Sequence, residues 1–260
     1  MSTVTTHTTE SRDSHSVGLC KFNTTTKAFE ISDGTDWYIY DTEGSVAGRF
    51  PNNSYSGYFD GSGDYAIIPT ISELNAPSAL STSMWFSCQN FSSNRCLFSA
   101  GSSSSDKFFI QLNGANLMKY GIGGSTVDTT VSLSTNTWYN LITVQSGTAL
   151  EIFLNGSSVG STITVAPGSG AGTNFKIGTY NIGGVGPASF FQGNIDEFAI
   201  YDTALSSSEV SSIYNDNALP DRVAFWRFEN DLTDNEGSYD GTNNGVSFAA
   251  KSDDSTNTPY

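Results

Sequence analysis

Positive charge is scarce in this chain. Lys plus Arg number 11 against 26 Asp plus Glu, a formal charge of -15, so a phosphate backbone would be repelled and nucleic acid is excluded as a partner. Histidine is scarcer still. His7 and His15, the only two, sit in a polar amino-terminal stretch, which leaves a Ser-His or Cys-His mechanism without a base inside the fold, and no G-x-S-x-G phrase supplies a nucleophile. No run of 18 apolar residues is long enough to span a bilayer, so no membrane insertion is expected. The opening MSTVTTHTTESRDSHS has neither a basic start nor an apolar h-region, and no secretory signal is expected from it. Cys20, Cys88 and Cys96 are the only cysteines, an odd number that rules out a fully paired framework. Cys88 and Cys96 either bridge across a hairpin when oxidised or remain buried free thiols, and free thiols are the expectation.

What is present is Ser, Thr, Gly and Asn, with 13% aromatic and only 14% charged residues. That balance fits strands joined by polar turns, and 260 residues suffice to bury a real core. Residues 1–17 read as a polar tail without periodicity. In residues 18–50, Phe29 and Ile31 alternate, Asp33-Gly34 is a hairpin turn, and residues 37–40 return. Two or three such strands are not stable alone and need a partner surface. Strands are further expected at 83–88, 96–100, 108–112, 117–121, 138–144, 150–154, 175–177 and 190–201, with Asn155-Gly156 as a hairpin turn. Residues 192–215 carry the strongest local signals. An apolar run through Ile195 and residues 198–201 leads to an S-x-x-E capping box at Ser206 and Glu209, with Leu205 and Val210 spaced as a hydrophobic staple. The fold class expected is all-β: a two-sheet antiparallel sandwich with one short helix and a small amino-terminal β-hairpin arm.

Two kinds of chemistry can be placed on this scaffold. Residues 179–189, TYNIGGVGPAS, offer Tyr180 and Asn181 on a Gly-rich loop, an aromatic face for a sugar ring beside an amide for its hydroxyls. Asp60-Gly61-Ser62-Gly63-Asp64 is a tight acidic loop with hard oxygen donors for calcium; its aspartates serve equally to cap their own turn. Asp231, Asp234 and Asp240 form a second acidic loop whose spacing misses the EF-hand pattern.

The ordered phrases YFDGSGDYAIIP, MWF, TWYNLITV, LEIFLNGSSVG, FKIGTY and FQGNIDEFAIYDTALSSSEVSSIY resemble the laminin G-like, concanavalin A-like jelly-roll family over about 160 residues. That resemblance implies a jelly roll whose relatives are mostly binding or adhesion modules, often with a rim calcium, for which Asp60 and Asp196 would be the nearest carboxylates. It also brings in glycoside hydrolases, but the E-x-D-x-x-E strand of related β-glucanases has no match in residues 194–202. Asp196 and Glu197 are adjacent, hence expected on opposite faces of a strand. No catalytic residue is therefore assigned. One departure stands out. Residues 224–248, AFWRFENDLTDNEGSYDGTNNGVSF, resemble the family's opening segment but follow its closing helix, which implies either a circular permutation or the start of a second module; permutation is the expectation, since Phe225, Trp226 and Phe228 need a core.

The F-N-T-T-T-K-x-x-E-x-x-D-G-T-x-W phrase of residues 22–37 resembles small β elements near the start of bacteriophage fibre and other virion proteins. The expected organisation is a tail at 1–17, an attachment arm at 18–50, a jelly roll at 51–250 completed by 224–248, and a tail at 251–260. The expected function is a non-enzymatic virion structural protein, made in the host cytoplasm. Its arm contacts other virion proteins or further copies of itself, and its jelly roll faces a host-surface glycan. The alternative is a carbohydrate-binding or adhesion module of a cellular protein, with a glycoside hydrolase ranked behind it.

Overall fold

The computed structural model describes residues 54–250 except 75–77, 104–106, 124, 160–162, 165–174, 183–184 and 217–218, together with the backbone of five amino-terminal strands. The tail expected at 251–260 and the packing of Trp37 lie outside the described residues. Residues 1–52 form the bulk of one compact unit, and residues 53–215 with 219–259 form the other.

The first unit holds β1 (Thr5–His7), β2 (Cys20–Asn23), β3 (Ala28–Ser32), β4 (Trp37–Tyr40) and β5 (Val46–Ala47), side by side in that order. β2 to β5 are antiparallel, with Phe29 opposite Tyr40, whereas β1 lies parallel to β2 with Thr5 opposite Lys21. The strand at Thr5–His7 falls inside the stretch expected to be unstructured. Composition misled there because a ladder is made by N–H and C=O groups, which polar residues supply as well as apolar ones.

The second unit runs β6 (Tyr55–Asp60), β7 (Tyr65–Ile67), β8 (Ala79–Cys88), β9 (Arg95–Ala100), β10 (Lys107–Leu112), β11 (Leu117–Gly123), β12 (Ser125–Ser132), β13 (Trp138–Ser146) and β14 (Ala149–Leu154). It continues through the short β15 (Ser157–Ser158), β16 (Ile163–Thr164), β17 (Lys176–Ile177), β18 (Tyr180–Ile182) and β19 (Val185–Ala188) to the long β20 (Gln192–Tyr201) and helix α1 (Ser207–Asp216). β21 (Ala224–Trp226), β22 (Thr242–Asn244) and β23 (Ser247–Ala250) follow. One sheet has seven strands, β12-β11-β10-β9-β17-β7-β22. The other has nine, along β15-β14-β13-β8-β20-β6-β23, with β16 on β14 and β21 on β20. This is the antiparallel two-sheet sandwich with one short helix that the strand pattern implies. Between the sheets, Phe98 of the first stacks on Phe198 of the second at 5.4 Å, and Phe198 stacks on Trp226 at 5.7 Å.

Alternation explains most strands. On β10, Phe108, Ile110 and Leu112 enter the shared core while Phe109 lies on the other face. β20 is buried over most of its length, its inner side chains meeting the opposite sheet, and α1 packs on the outer face of its neighbour β8. Val210 and Ile213 are buried, and Tyr214 stacks on Trp85 at 6.1 Å. The helix starts where the capping box places it: the Ser206 N–H donates to Glu209 Oε2 at 2.7 Å and the Glu209 N–H to Ser206 Oγ at 3.3 Å. Ser206→Ala is expected to cost about 1 kcal/mol. Hydrogen bonds from the Ser206 hydroxyl and then its N–H hold the Glu209 carboxyl below its ordinary 4.5. A lowered carboxyl stabilises above its unfolded value and loses that contribution as pH falls through the folded one. The protection factors of the amides in residues 207–210, corrected for the intrinsic exchange rate, should therefore fall below pH 4.5 in the native chain, and Glu209→Gln should remove that fall.

Residues after the helix belong to the sandwich. β21 pairs with residues 198–200 of β20, β23 with β6, and β22 with β7. Ala224, Phe225, Trp226, Phe228, Leu232 and Val246 are buried. Gly57 of β6 leaves room for the Phe228 ring, which a Cβ there would strike. The possibility that β8 and β9 form a hairpin carrying a Cys88–Cys96 bridge fails, since the two strands lie in different sheets and both thiols are free and buried. Burial raises the thiol pKa of each, most strongly for Cys96.

Candidate functional site

The outer face of the seven-stranded sheet is where side chains suited to a ligand gather. Across it in one row stand Lys176, Ser99, Phe109 and Gly121, aligned by the registers of β17, β9, β10 and β11. The Phe109 ring lies over Gly121, where a Cβ would collide with it. Above this row sits the β18–β19 hairpin, with Tyr180 opposite Ala188. Ser99 fastens the hairpin: its hydroxyl donates to Thr179 O at 2.8 Å and accepts from the Asn181 N–H at 3.0 Å. The Thr179 hydroxyl in turn donates to Ala188 O at 2.9 Å. Tyr180 meets Phe109 edge-on at 5.2 Å, and its ring and Asn181 are both half-buried. The hairpin therefore holds the Tyr180 ring against Phe109 and ties the Asn181 backbone to Ser99. Burial raises the Tyr180 hydroxyl pKa, so the group stays protonated and able to donate at neutral pH.

Sequence reasoning singled out Tyr180 and Asn181 and took residues 179–189 for a loop. The Gly183-Gly184 pair between Tyr180–Ile182 and Val185–Ala188 is a two-residue hairpin signal. It also missed Phe109, although an aromatic at an outward position of the alternating KFFIQL strand marks a covered or ligand-facing surface.

The Asp60 loop lies at one end of the sandwich. Asp60 Oδ1 accepts from the Ser62 N–H at 2.6 Å, and Asp64 Oδ2 from the Asp60 N–H at 2.9 Å. Desolvation, and then the Asp60 carboxylate, push the Asp64 pKa up against a lowering backbone hydrogen bond. Arg95 ties this loop to its neighbours, donating to Gly61 O, Phe190 O, Asn90 O and Gln192 Oε1. Asp60 pairs with Gln192, four residues from Asp196 and so about 13 Å along the strand. Calcium holds its oxygens at roughly 2.3–2.6 Å, so Asp60 and Asp196 do not fit one shared ion. Among the described residues, no group of three or more His, Cys, Asp or Glu side chains is placed to hold a metal.

Asp196 and Glu197 sit where β20 changes neighbour from β6 to β21. The β20–β8 register shifts between Asp196 and Ala199, and Glu197 has φ 49. This bulge breaks the alternation that would have put the two carboxylates on opposite faces. Their exposures are 0% and 2%. The second acidic loop has also turned inward: Asp234, 1% exposed, accepts four backbone N–H bonds, from Phe225, Glu236, Ser238 and Tyr239.

Known proteins agree with this architecture. Residues 60–211 match the family model described as the concanavalin A-like lectin/glucanases superfamily. No curated protein matches the sequence. Among solved structures, a candidate carbohydrate binding protein of Bacteroides ovatus superposes with a TM-score of 0.60 at 17% identity, over 76% of this chain and 60% of that one. This chain thus spans less than two thirds of that protein. The heptameric SAP-like pentraxin of Limulus polyphemus gives a TM-score of 0.57 at 17% identity, over 78% of this chain and 97% of the pentraxin. NanB, a sialidase of Streptococcus pneumoniae, gives 0.52 at 19% identity, over 62% of this chain and 28% of the sialidase. At these identities the likeness is one of fold. With the family match covering more than half of its residues and both sheets in place, this chain belongs to the concanavalin A-like lectin/glucanase superfamily.

Proposed function

We propose that the sandwich is a carbohydrate-binding module without catalytic activity, receiving a glycan on the face that carries Tyr180 and Asn181. The observation that carries this reading is the pre-set Tyr180 ring, braced on Phe109 and fixed through Ser99. A rigid half-exposed aromatic suits one face of a sugar ring at little entropic cost, and Asn181, the next residue along, offers an amide for a hydroxyl. Family membership and the carbohydrate binding named for the Bacteroides ovatus relative support it. Against catalysis stands the burial of Asp196 and Glu197, which a glycosidic oxygen would have to reach. Calcium, if it takes part, belongs with Asp60 and Asp64 in one loop rather than with Asp196.

A glycan array probed with the full chain tests this. Tyr180→Ala is expected to lower affinity for the bound glycan at least tenfold in a chain that still unfolds cooperatively, and Phe109→Leu to lower it less. An array with no bound glycan, or release of reducing sugar from one, would overturn the reading.

The location we propose is a virion surface, with residues 1–50 contacting other virion proteins or further copies of the chain. It rests on the resemblance of residues 22–37 to phage fibre modules. A chain lacking residues 1–50 should keep glycan binding but fail to enter assembled particles. Incorporation of the shortened chain would count against the arm.

A further inference from the structure

Building on the carbohydrate-binding reading, we infer that the glycan taken by the Tyr180 face is an acidic one, bearing carboxylate or sulfate groups. The argument comes from where the cations are. Residues 53–250 contain three lysines, Lys107, Lys119 and Lys176, and all three lie on the outer face of the seven-stranded sheet. Their strand neighbours fix this: Phe108, Met118, Tyr120, Phe175 and Ile177 belong to the core, so the alternate positions point away from it. Two of the arginines are committed elsewhere. Arg95 holds loops together through carbonyls, and Arg222 pairs with Glu236 at 2.8 Å while lying over the Phe225 ring.

The lysines surround the aromatic platform. Lys107 Nζ is 5.7 Å from the centre of the Phe109 ring on which Tyr180 rests, and it donates to Thr126 Oγ1 at 3.2 Å. Lys176 stands in the same row as Phe109, two strand spacings away or roughly 10 Å, with Ile67 beside it, 38% exposed and apolar. Lys119 is 3.9 Å from Asp128, which also accepts from Asn113, so its charge is partly offset. Among the described residues Lys176 forms no ion pair. Its ammonium is partly desolvated, which lowers its pKa, and an incoming anion would restore the lost stabilisation. On a chain of net charge -15, an acidic glycan is repelled by most of the surface, and this face offers it a local reversal of sign. A neutral sugar would gain nothing from that placement.

An array of sialylated and sulfated oligosaccharides, each beside its desialylated or desulfated counterpart, separates the outcomes. The inference expects the acidic forms to bind at least tenfold more tightly than their neutral counterparts, and the margin to shrink severalfold between 50 and 500 mM NaCl. The double variant Lys107→Gln, Lys176→Gln should erase the margin between acidic and neutral forms with the unfolding midpoint unchanged, and Lys107→Arg, Lys176→Arg should restore it. The sialylated and sulfated arms tell which anion is taken. Neutral counterparts bound as tightly as acidic ones would overturn this inference and leave carbohydrate binding standing. Absence of any bound glycan would remove the parent reading and this one with it.

Discussion

Removal of residues 224–260 is expected to abolish cooperative unfolding of the sandwich. These residues supply β21, β22 and β23 to both sheets and bury Trp226, Phe228, Leu232 and Val246. A single buried aromatic reduced to alanine typically costs about 3–5 kcal/mol, against a whole-domain stability of roughly 5–15 kcal/mol. Loss of Trp226 and Phe228 together therefore approaches or exceeds what holds the domain folded, before the three strands are counted. Trp226→Ala in the full chain is the graded form of the same test. It should lower unfolding free energy in urea by about 3–5 kcal/mol, because the indole stacks on Phe198 and its Nε1–H donates to Tyr239 O at 3.0 Å. A shortened chain that kept a sharp, unshifted transition would show residues 224–250 to be an appendage on a complete core.

Asp234→Ala is expected to destabilise the sandwich by upwards of about 1–3 kcal/mol, the cost of even one buried donor left without its acceptor. Its carboxylate takes the N–H groups of Phe225 and Glu236 on one oxygen and of Ser238 and Tyr239 on the other, at 2.8–3.1 Å. Without it, four backbone donors in a nearly closed site have no acceptor, and hydrogen bonds to a charged group are worth more than neutral ones. Asp234→Asn should recover little, since the amide nitrogen would point a donor at two donors. Urea denaturation with and without a chelator separates this role from metal binding. The variants should be destabilised equally in both, while a native chain weakened by chelator to the level of the variants would make Asp234 a ligand instead.

The two acidic loops show what residue type alone leaves open. Asp60 and Asp64, and likewise Asp231 and Asp240, carry the oxygens a cation needs, yet Asp60, Asp231, Asp234 and Asp240 all accept from backbone N–H groups of their own loops. Whether a carboxylate faces solvent, an ion or its own turn depends on backbone direction, and a spacing rule captures that only in motifs of fixed geometry. Asp196 and Glu197 illustrate a second limit. Alternation assigns them opposite faces, but one inserted residue at the seam between β6 and β21 cancels that rule, and the seam is created by strands distant in sequence. The covered aromatics divide in the same way. Trp85 is buried as a strand tryptophan should be, but under α1 rather than between the sheets.

By itself the sequence determined the fold class, most of the strands, the Asn155-Gly156 turn and the start of the helix, because each rests on local chemistry. Side-chain alternation sets the face of a strand, positive φ suits Asn-Gly, and a serine three residues before a glutamate satisfies the first free N–H groups of a helix. Tyr180 and Asn181 stood out by residue type and by the Gly-rich run that follows them. Only the tertiary structure decided what those residues stand on and beside. Ser99, Phe109, Lys107 and Lys176 come from three strands and are gathered on one face by the register of one sheet, where Phe109 and Ser99 receive the hairpin that carries Tyr180. Pairing between strands far apart in the chain is fixed by the burial of both inner faces at once, a condition on the whole domain that no single stretch contains.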